Sequence, residues 1–570
     1  MSILKNLTIL AVLLTTLSII TPLTLTKVQA EEAADAACIT CHSRVTPGVV
    51  IQYLEGAMGK PGVQNPLIAK RLGGLDTVSC IVCHGSDHTS EDDWEEAKLP
   101  DQNTCKICHP DKVEEYLAGK HSLAWKAMMA IPMVKEMPKE EVLYGCGGCH
   151  KIGVKDPQDL LDLGLTRPYG VGATCDQCHT RHSFNTTEAR MPEACSKCHM
   201  GFDHPQWEMW STSKHGNIYF ANKDKYPFNV SLKFVRPYEY PGPTCQLCHM
   251  PDGTHNVLTS WGFLALVAFE GRPEGLTVVE DPEWEAAKAE ILKALRVLDP
   301  QGNPTPLLDI VTQLKMVRTD PYEFIVARDR LLGVCSDCHS RNFALQYLTA
   351  ADRVVRETTI QLAEAIKAVK EAREQGIYPP RPGEPDNPYP FLLNFYEEPS
   401  SVDREVWLMF LEYRMRAFQG MFHANPDYTH WYGWSEMRRA MGDILEDIDE
   451  ARETKQVEEA VSQLNTSVEK VEASLDNLED RITSIEGRVE TVEGATSKIE
   501  GRVSKLESET GRLDSAVSQL QDSVGKLRNS VETLKSEIKD TAGKATAAMA
   551  LGGFAVIVAA AFFTYAARKR

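Results

Sequence analysis

The chain has 570 residues, of which 43 % are hydrophobic and 25 % are charged, so it is long enough for several domains with a buried core. Its formal net charge of −19 argues against nucleic-acid binding, because no basic stripe is present to neutralise a phosphate backbone. Its sixteen cysteines would suit a disulfide scaffold in an exported protein, so their spacing has to be considered.

Residues 1–30 have the pattern of a secretory signal peptide. Lys5 precedes an apolar run, and a small residue, Ala30, comes directly before Glu31. We therefore expect the mature chain to begin near Glu31. The alternative, an uncleaved N-terminal anchor, is less favoured because the apolar run is short for a membrane span.

The sixteen cysteines form eight Cys-x-x-Cys pairs, each followed directly by a histidine, and we number these motifs from the first to the eighth in chain order. The pairs are Cys38/Cys41, Cys80/Cys83, Cys105/Cys108, Cys146/Cys149, Cys175/Cys178, Cys195/Cys198, Cys245/Cys248 and Cys335/Cys338. The histidines are His42, His84, His109, His150, His179, His199, His249 and His339. Two thiols one turn apart can reach both vinyl groups of a porphyrin, while the adjacent imidazole binds its iron. A zinc ribbon needs no histidine after each pair, so the sequence predicts eight covalently attached haems c.

Eight further histidines are candidates for the opposite side of these irons: His88, His121, His182, His204, His215, His255, His423 and His430. An electron-transfer haem needs a second strong axial ligand, whereas a catalytic haem needs an open position. Eight spare histidines are therefore compatible with eight closed haems and a pure electron conduit. They are equally compatible with seven ligands and one histidine beside an open iron.

The neighbours of two of these histidines favour the second arrangement. In Asp203-His204-Pro205 a carboxylate directly precedes the imidazole, and such a pair suits proton transfer. His215 lies in Ser-Lys-His-Gly, a small-residue context that would let a haem plane approach. We therefore expect His204, rather than His215, to be the histidine that does not bind iron.

Six motifs, then HPQWEMWSTSKHG and CQLCHMPDGTHNV, then a further motif and a long helical region, resemble the octahaem hydroxylamine oxidoreductase family. The last five motifs also resemble the pentahaem cytochrome c nitrite reductases. The resemblance runs from about residue 35 to about residue 445. It implies that the fourth motif holds a catalytic five-coordinate haem, with Asp203 and His204 above its open face. It also implies bis-histidine coordination of the other seven haems, using His88, His121, His182, His215, His255, His423 and His430.

According to the same resemblance, the presence or absence of one tyrosine distinguishes oxidising members from reducing ones. In members that oxidise hydroxylamine or hydrazine, the catalytic haem is cross-linked to a tyrosine of a neighbouring subunit in a trimer, and relatives lacking it look like reductases. Tyr428 and Tyr432 are the candidates here, with Tyr413 just upstream, although ordinary aromatic packing against haem edges would explain at least two of them.

The resemblance thus implies an extracytoplasmic homotrimeric oxidoreductase of small nitrogen compounds, with hydroxylamine or hydrazine oxidation as the first hypothesis. Reduction of nitrite or hydroxylamine on the same fold is one alternative, and a non-catalytic electron conduit is another. The partners expected are a small nitrogen substrate and a redox protein or quinone-linked electron partner.

We expect a mainly α-helical fold with little β-structure. Residues 31–345 would form the octahaem catalytic domain and residues 346–450 its C-terminal helical part. Within roughly 31–260, haems would replace much of the usual side-chain core. Helical patterns occur at 281–298, 346–375 and 402–422.

Residues 455–540 predict a coiled coil. They lack cysteine, histidine and proline, and apolar residues recur there every three and four positions for more than eleven heptads. As one continuous helix, the segment would be about 120 Å long. β-Branched residues at one core position and mostly leucine at the other favour a parallel dimer. The resemblance implies a trimer, and we expect the trimer.

Residues 545–567 are apolar and long enough to cross a bilayer of about 30 Å, and the basic tail 568–570 follows directly. The sequence therefore predicts a single-pass cell-membrane protein with a cytoplasmic C-terminus. Its haem head would lie outside the membrane, in the periplasm or at the cell surface.

Overall fold

A computed structural model describes residues 35–60, 77–164, 174–230, 237–257, 259–262, 264, 266–267, 282–318, 320–394, 399–493 and 506–536. The predicted signal peptide (1–30), membrane helix (545–567) and basic tail (568–570) lie outside these residues. Within them, no helix is long and apolar enough to span a membrane. The chain divides into two compact units, Met1–Ile448 and Asp449–Arg570.

The part that carries the first seven motifs consists of short helices joined by irregular segments. After a helix over 35–45, the α-helices are Pro47–Glu55, Cys80–His84, Gln102–Lys106, Pro110–Ala118, Ala124–Met129, Gly147–His150, Pro157–Asp162, Thr186–Arg190, Glu193–Ser196, Gln206–Ser211, Lys214–Ala221 and Cys245–His249. Single 3₁₀ turns lie at Trp94–Glu96, His121–Leu123, Pro132–Lys135, Cys175–Gln177, Lys223–Lys225, Pro237–Glu239 and Pro251–Gly253. The segment Glu141–Cys146 is a π-helix.

The following part contains longer helices. They are Pro282–Ala294, Pro306–Gln313, Pro321–Ser336, Arg341–Glu374, Ser401–Leu408, Arg414–Phe422 and Ser435–Glu493, with π-helices at Met409–Tyr413 and Tyr428–Trp434. The described strands are two residues each, Leu266–Val267 and Val317–Arg318, and they pair in parallel. The prediction of a mainly helical protein with little β-structure is confirmed.

Side-chain caps begin several of these helices. The Ser340 hydroxyl accepts from the Phe343 N–H at the start of Arg341–Glu374, and Ser400 does the same for Ser401–Leu408. Such caps satisfy N–H groups that have no partner within the helix. The capped helix Arg341–Glu374 starts five residues before the predicted helical pattern.

The helix Arg341–Glu374 supplies one face of the largest hydrophobic core. It packs against Pro282–Ala294 and Arg414–Phe422. Its fully buried apolar residues include Ala351, Val355, Leu362, Ala365, Ile366 and Val369. Near its end, Arg373 donates to both oxygens of buried Asp403, at 2.7 and 2.6 Å. This ion pair fixes the helix end against Ser401–Leu408.

The hydrophobic clusters around the first seven motifs are smaller. One consists of Trp125, Met128, Val134 and Val142, next to the fourth motif. Another is mainly aromatic and lies beside the sixth and seventh motifs: Trp210, Tyr219, Tyr226, Phe228, Tyr240 and Leu247.

In the second unit, residues 449–493 and 506–536 are helical. Several heptad positions of the predicted seam are exposed in the single chain, among them Val457, Leu527 and Leu534. Helical structure agrees with the predicted coiled coil of 455–540, but a coiled coil needs at least a second chain, so it stays a prediction.

Candidate haem-binding and active site

Each motif is built on one tight turn of helix. In four motifs the histidine N–H donates to the carbonyl of the first cysteine, at 2.9–3.1 Å; these histidines are His109, His179, His199 and His339. That bond closes the turn and keeps both thiols and the imidazole on one segment. All sixteen cysteines lie in the described residues, and none forms a disulfide.

Two of the predicted haem-binding cysteines, Cys41 and Cys338, are exposed, whereas the other cysteines are partly buried. Cys338 lies outside the part of the chain, roughly 31–260, in which haems are expected to replace much of the side-chain core. It follows the last turn of the helix Pro321–Ser336, and residues 337–343 around it are all exposed, so no other element of the described chain covers this thiol. Its predicted role in haem attachment stays, but a porphyrin edge bound there would lie at the surface of the single chain.

Six motif histidines face a second histidine across a gap. The pairs and their ring-centroid separations are His42–His88, 5.9 Å; His84–His182, 6.1 Å; His121–His199, 6.1 Å; His179–His255, 6.2 Å; His215–His339, 6.3 Å; and His249–His423, 6.3 Å. A metal–imidazole bond is about 2 Å long, so two imidazoles on opposite sides of one iron have centroids about 6 Å apart. The residues present therefore fit bis-histidine haem iron at six motifs.

Burial keeps most of these imidazoles neutral. It lowers the pKa of His121, His179, His182 and His249 to about 4, and that of His199 to about 3. A neutral imidazole has a free lone pair at neutral pH, which a metal ligand requires. The lowered pKa values and the ring separations thus both fit axial ligands of haem iron.

Contacts between cysteines of different motifs order the motifs in space. Thiols lie in hydrogen-bond contact between Cys38 and Cys80, Cys105 and Cys175, Cys149 and Cys198, and Cys195 and Cys245. Thiols within electrostatic range are Cys83 and Cys108, Cys178 and Cys195, and Cys248 with both Cys335 and Cys338. The motifs therefore follow one another in the order 1, 2, 3, 5, 6, 7, 8, and the fourth branches from the sixth.

The second ring nitrogen of these histidines also has defined partners. The contacts of Nδ1 are His42–Thr46 Oγ1, 2.8 Å; His84–Lys98 O, 3.0 Å; His88–Asp93 Oδ1, 2.8 Å; His150–Ala124 O, 2.7 Å; His199–Gln206 Oε1, 3.1 Å; His255–Gly253 O, 3.2 Å; and His423–Gln419 O, 2.8 Å. Each contact leaves Nε2 available to a metal and fixes the orientation of the ring.

The fourth motif differs from the others in its backbone. The π-helix Glu141–Cys146 leads directly into the helix Gly147–His150. A Cβ atom on Gly147 would lie 2.5 Å from the Val142 carbonyl oxygen, so only glycine fits after Cys146. π-Helical turns are uncommon and occur often at functional sites.

Asp203 and His204 form an ion pair near this motif. His204 Nδ1 lies 2.6 Å from Asp203 Oδ1, and the side chains of His204 and Asp203 are 24 % and 33 % exposed, respectively. Burial acts to raise the pKa of Asp203, but contact with His204 outweighs it and the pKa is lowered. Burial likewise opposes protonation of His204, yet Asp203 raises its pKa.

The electrostatic interactions of the Asp203–His204 pair show that it lies near the fourth motif. Asp203 and His204 both influence the pKa of His150, and Cys149 influences that of His204. The His204 ring also lies edge-on to His199, at 5.6 Å and 89°, but His199 already faces His121. His204 thus lies beside two motifs without occupying the opposed position that the six paired histidines share.

The segment that carries this pair is anchored from two sides. The Gly201 N–H donates to Glu208 Oε1 at 3.1 Å, and Arg416 Nη2 donates to the Phe202 carbonyl at 3.3 Å. One oxygen of the same carboxylate, Glu208 Oε2, is buried without a hydrogen bond. Both the helix Gln206–Ser211 and the helix Arg414–Phe422 therefore position Asp203 and His204.

The candidate tyrosines differ in their exposure. Tyr428 and Tyr432 stack with centroids 4.8 Å apart on the π-helix Tyr428–Trp434, and Tyr432 is 47 % exposed. Burial, and then Glu208, raise the pKa of Tyr428. Tyr413 is buried, and its hydroxyl accepts from Arg439. Tyr428 and Tyr432 thus lie on a segment that reaches the protein surface, whereas Tyr413 does not.

His430 lies on the same π-helix. It is exposed, and its ring contacts within the described residues are with Trp431 at 4.6 Å and Trp434 at 5.7 Å. Its role as an axial ligand stays a prediction.

Gly216, in the small-residue context of His215, has a packing role. A Cβ atom on Gly216 would lie 2.1 Å from the Trp210 carbonyl oxygen. This glycine lets the helix Lys214–Ala221 approach the helix Gln206–Ser211, and the expected approach of a haem plane to His215 stays a prediction.

Sequence reasoning missed the partners of the histidines. Gln206 and Gln419 are hydrogen-bonded at 2.6 Å and so connect His199 to His423. The position of Gln206 seven residues after His199 gave no recognisable pattern. Asp93, five residues after His88, was missed for the same reason.

The comparisons with known proteins agree with this geometry. A multihaem cytochrome family model, described as seven times multihaem cytochrome CxxCH, matches residues 76–269. A probable nitrite reductase–hydroxylamine oxidoreductase fusion protein of Kuenenia stuttgartiensis is 28 % identical over 504 residues, covering 75 % of this chain and 52 % of the relative. The chain thus spans about half the length of that relative.

Two solved structures share the fold. A reducing HAO-like protein complex of Kuenenia stuttgartiensis matches with a TM-score of 0.58 and 24 % identity, over 76 % of this chain and 88 % of that one. A hypothetical multihaem protein matches with a TM-score of 0.55 and 20 % identity, over 75 % and 99 %. The motifs and the domain match together indicate a multihaem cytochrome with covalently bound c-type haems, and the chain is similar to hydroxylamine oxidoreductase-like proteins in sequence and fold.

Proposed function

We propose that this protein is an oxidoreductase of small nitrogen compounds and that these compounds react at the fourth motif. The observation that carries the proposal is the Asp203–His204 pair: His204 lies near His150 outside the opposed ligand position, and its pKa is raised while those of the buried paired histidines are lowered. The name of the Kuenenia relative supports an enzyme of this class.

Cys146, Cys149 and His150 would hold the haem of the fourth motif, whose iron would supply a site where a small nitrogen compound can bind and exchange electrons. His150 is positioned for this by its Nδ1 contact with the Ala124 carbonyl. Asp203 raises the pKa of His204 and so favours its protonated form, in which His204 can hold a proton at its ring nitrogens for transfer to a bound compound. Asp203 can accept a proton in the opposite direction.

The proposal includes eight haems. Six would be held between the histidine pairs described above, and the seventh bis-histidine site would be completed by His109 with a ligand from the predicted set that includes His430. The order of motifs given by the cysteine contacts supports electron transfer between the fourth motif and either end of the series.

Oxidation of hydroxylamine or hydrazine is the first candidate reaction. It is supported by Tyr428 and Tyr432, since a tyrosine on an exposed π-helix is available to a neighbouring copy of the chain in a homotrimer. Reduction of nitrite or hydroxylamine is the second candidate. It is supported by the raised pKa of His204, because a reductive step consumes protons.

The first test is the mass of the haem-loaded protein after full denaturation. A covalent trimer would establish a tyrosine cross-link and support oxidation, and Tyr428→Phe or Tyr432→Phe would then abolish it. A single chain carrying eight haems would exclude the cross-link and leave the reductive reaction or a conduit.

The second test is turnover of hydroxylamine, hydrazine and nitrite by His204→Ala. We expect kcat to fall by about 10²- to 10⁴-fold, the usual contribution of a general acid or base, with haem content unchanged. Asp224→Asn, an exposed carboxylate change away from the motifs, is the control. Unchanged turnover in His204→Ala, or no turnover of any substrate by the unaltered protein, would contradict the proposal.

We also propose that the head is extracytoplasmic, carried on a trimeric coiled coil of 455–540 and anchored by 545–567. Covalent haem attachment to an exported chain supports this placement. Membrane fractionation of the full chain against one truncated after residue 540 tests it: the truncated chain should be released, and its retention would contradict the anchor.

A further inference from the structure

Asp93 differs from every other group that contacts Nδ1 of a paired histidine. Its carboxylate lies 2.8 Å from His88 Nδ1, whereas the other described contacts are with carbonyl, hydroxyl or amide oxygens. Glu115 approaches His255 Nδ1 only to 3.8 Å, and that nitrogen has the Gly253 carbonyl at 3.2 Å. Among the described pairs, the first motif is therefore the one with an anionic acceptor at hydrogen-bond distance.

The Asp93 carboxylate is held by its own loop. The Thr89 N–H donates to both carboxylate oxygens at 3.0 and 3.1 Å, the Thr89 hydroxyl donates at 2.9 Å, and the Ser90 N–H donates at 2.8 Å. These bonds fix the carboxylate against His88 without the help of a haem. Asp93 is thus a preorganised acceptor and not a surface side chain that happens to touch the ring.

The two imidazoles of the first motif have unlike partners. His42 Nδ1 meets the neutral Thr46 hydroxyl at 2.8 Å, while His88 Nδ1 meets a negative charge. An imidazole that donates Nδ1–H to a carboxylate becomes a stronger electron donor at Nε2 and holds its ring orientation. A stronger donor stabilises ferric iron more than ferrous iron, so hydrogen bonding to an axial ligand shifts the reduction potential.

We propose that Asp93 is a positioning residue that orients His88 and lowers the reduction potential of the haem attached at Cys38 and Cys41. The proposal rests on attachment of that haem and its ligation by His42 and His88. It does not depend on any reaction at the fourth motif.

The first motif lies where its reduction potential can affect electron exchange with an external partner. The motif is at one end of the series defined by the cysteine contacts, Cys41 is exposed, and Trp94 beside Asp93 is 48 % exposed. Asp93 therefore controls the potential at a terminus that an external redox partner can reach.

The test compares Asp93→Asn with Asp92→Asn in the haem-loaded full chain. Asp92 is an exposed neighbour, so its variant makes the same charge change in the same loop without touching His88. Spectroelectrochemical titration and low-temperature EPR of the oxidised protein are the readouts. In Asp93→Asn we expect one midpoint potential to move upward and one low-spin ferric signal to change. In Asp92→Asn we expect a smaller shift, and Asp93→Glu should restore the original value.

His88→Met identifies the signal, because replacing an axial ligand must alter that haem first. If Asp93→Asn does not load its haems, Thr89→Val decides the matter. Losing one hydroxyl donor leaves more charge on the carboxylate, so the same potential should move downward. The proposal is overturned if Asp93→Asn shifts no potential more than Asp92→Asn does, if the shifted haem is not the one altered by His88→Met, or if Thr89→Val leaves that potential unchanged.

Discussion

The regions before and after the end of the seventh motif, residues 77–257 and 282–448, differ in what forms their cores. Residues 282–448 bury a continuous aliphatic and aromatic cluster between long helices, including Leu362, Ile366 and Trp407. Residues 77–257 have short helices and small clusters, and they contain pairs of facing imidazoles about 6 Å apart, such as His121–His199 and His179–His255. Side chains complete most of the first core, although His339 and His423 in that region also face imidazoles of the other region. The second region has more histidine pairs at a spacing that fits haem iron.

This difference predicts which region needs its cofactor to fold. A helix with a wide apolar face gains most of its stability from packing, and in 282–448 apolar side chains supply most of that packing. In 77–257, backbone order depends on groups that only attachment brings in. The comparison can therefore be tested by removing the cofactor or by perturbing each region separately.

The largest effect is expected from producing the chain without haem attachment. Residues 77–257 should lose their protection from protease completely, because metal-bound structure is coupled to folding. A fragment containing 282–448 should persist. Limited proteolysis with mass spectrometry, with the haem-loaded chain as control, measures this. Equal cleavage rates in both regions would show that they fold as one unit. The proposed difference in their dependence on haem would then be wrong.

The next effect concerns the helical region alone. Asp403→Ala leaves the Arg373 guanidinium buried without its carboxylate and should lower the free energy of unfolding by about 3–5 kcal/mol. Glu283→Ala removes the exposed Arg356–Glu283 pair and should cost no more than about 1 kcal/mol. Chemical denaturation followed by far-ultraviolet circular dichroism measures both. A haem absorbance spectrum altered by Asp403→Ala would show that the two regions are coupled.

The smallest effect is the pH dependence at the fourth motif. Asp203 has a lowered pKa and His204 a raised pKa, so the pair is ionised between them. If turnover is reductive, kcat/KM should fall about tenfold per pH unit above the pKa of His204, because its proton is lost. If turnover is oxidative, it should rise over that range.

One variant and the neighbouring ionisable groups test the assignment of this pH profile to His204. In Asp203→Asn the transition should move to lower pH, since the charge that raises the pKa of His204 is gone. The other ionisable neighbours include His150, His199, Cys146 and Cys149, and both cysteines become uncharged thioethers once haem is attached. A transition at the same pH in Asp203→Asn would assign it to a group other than His204.

The sequence predicted the motifs and the long helices well because both depend on local spacing. Cys-x-x-Cys-His is complete within five residues, and the apolar period of 346–375 is visible along one helix. Pairing of His121 with His199 or of His249 with His423 is not local, since it depends on how short helices without a repeating pattern pack. The sequence could thus supply the histidines but not their partners.

The candidate site shows the same limit at smaller scale. Asp203 next to His204 could be read directly from the chain. The anchoring of that segment by Arg416, more than two hundred residues later, could not. Nor could the exposure of Tyr432 and the burial of Tyr413, because both lie in aromatic-rich helical sequence and only tertiary packing separates them.

The exposure of Cys338 could not be predicted from the sequence either, because it too depends on tertiary packing. Its motif has the same five-residue pattern as the motifs whose cysteines are partly buried, so nothing local distinguishes it. Whether a thiol is covered depends on which other elements pack over its helix turn, and that is a property of the tertiary structure.

The π-helix Glu141–Cys146 constrains how the length of this chain can change in evolution. Its hydrogen bonds close over five residues rather than four. Deleting one residue there would restore an ordinary turn, but each residue of an α-helix accounts for about 100° of rotation. Cys146 and Cys149 would then point away from the side on which His204 lies. Loops between other motifs that contact no ligand histidine can gain or lose residues without this penalty, so relatives that share the chemistry should keep the length of this turn.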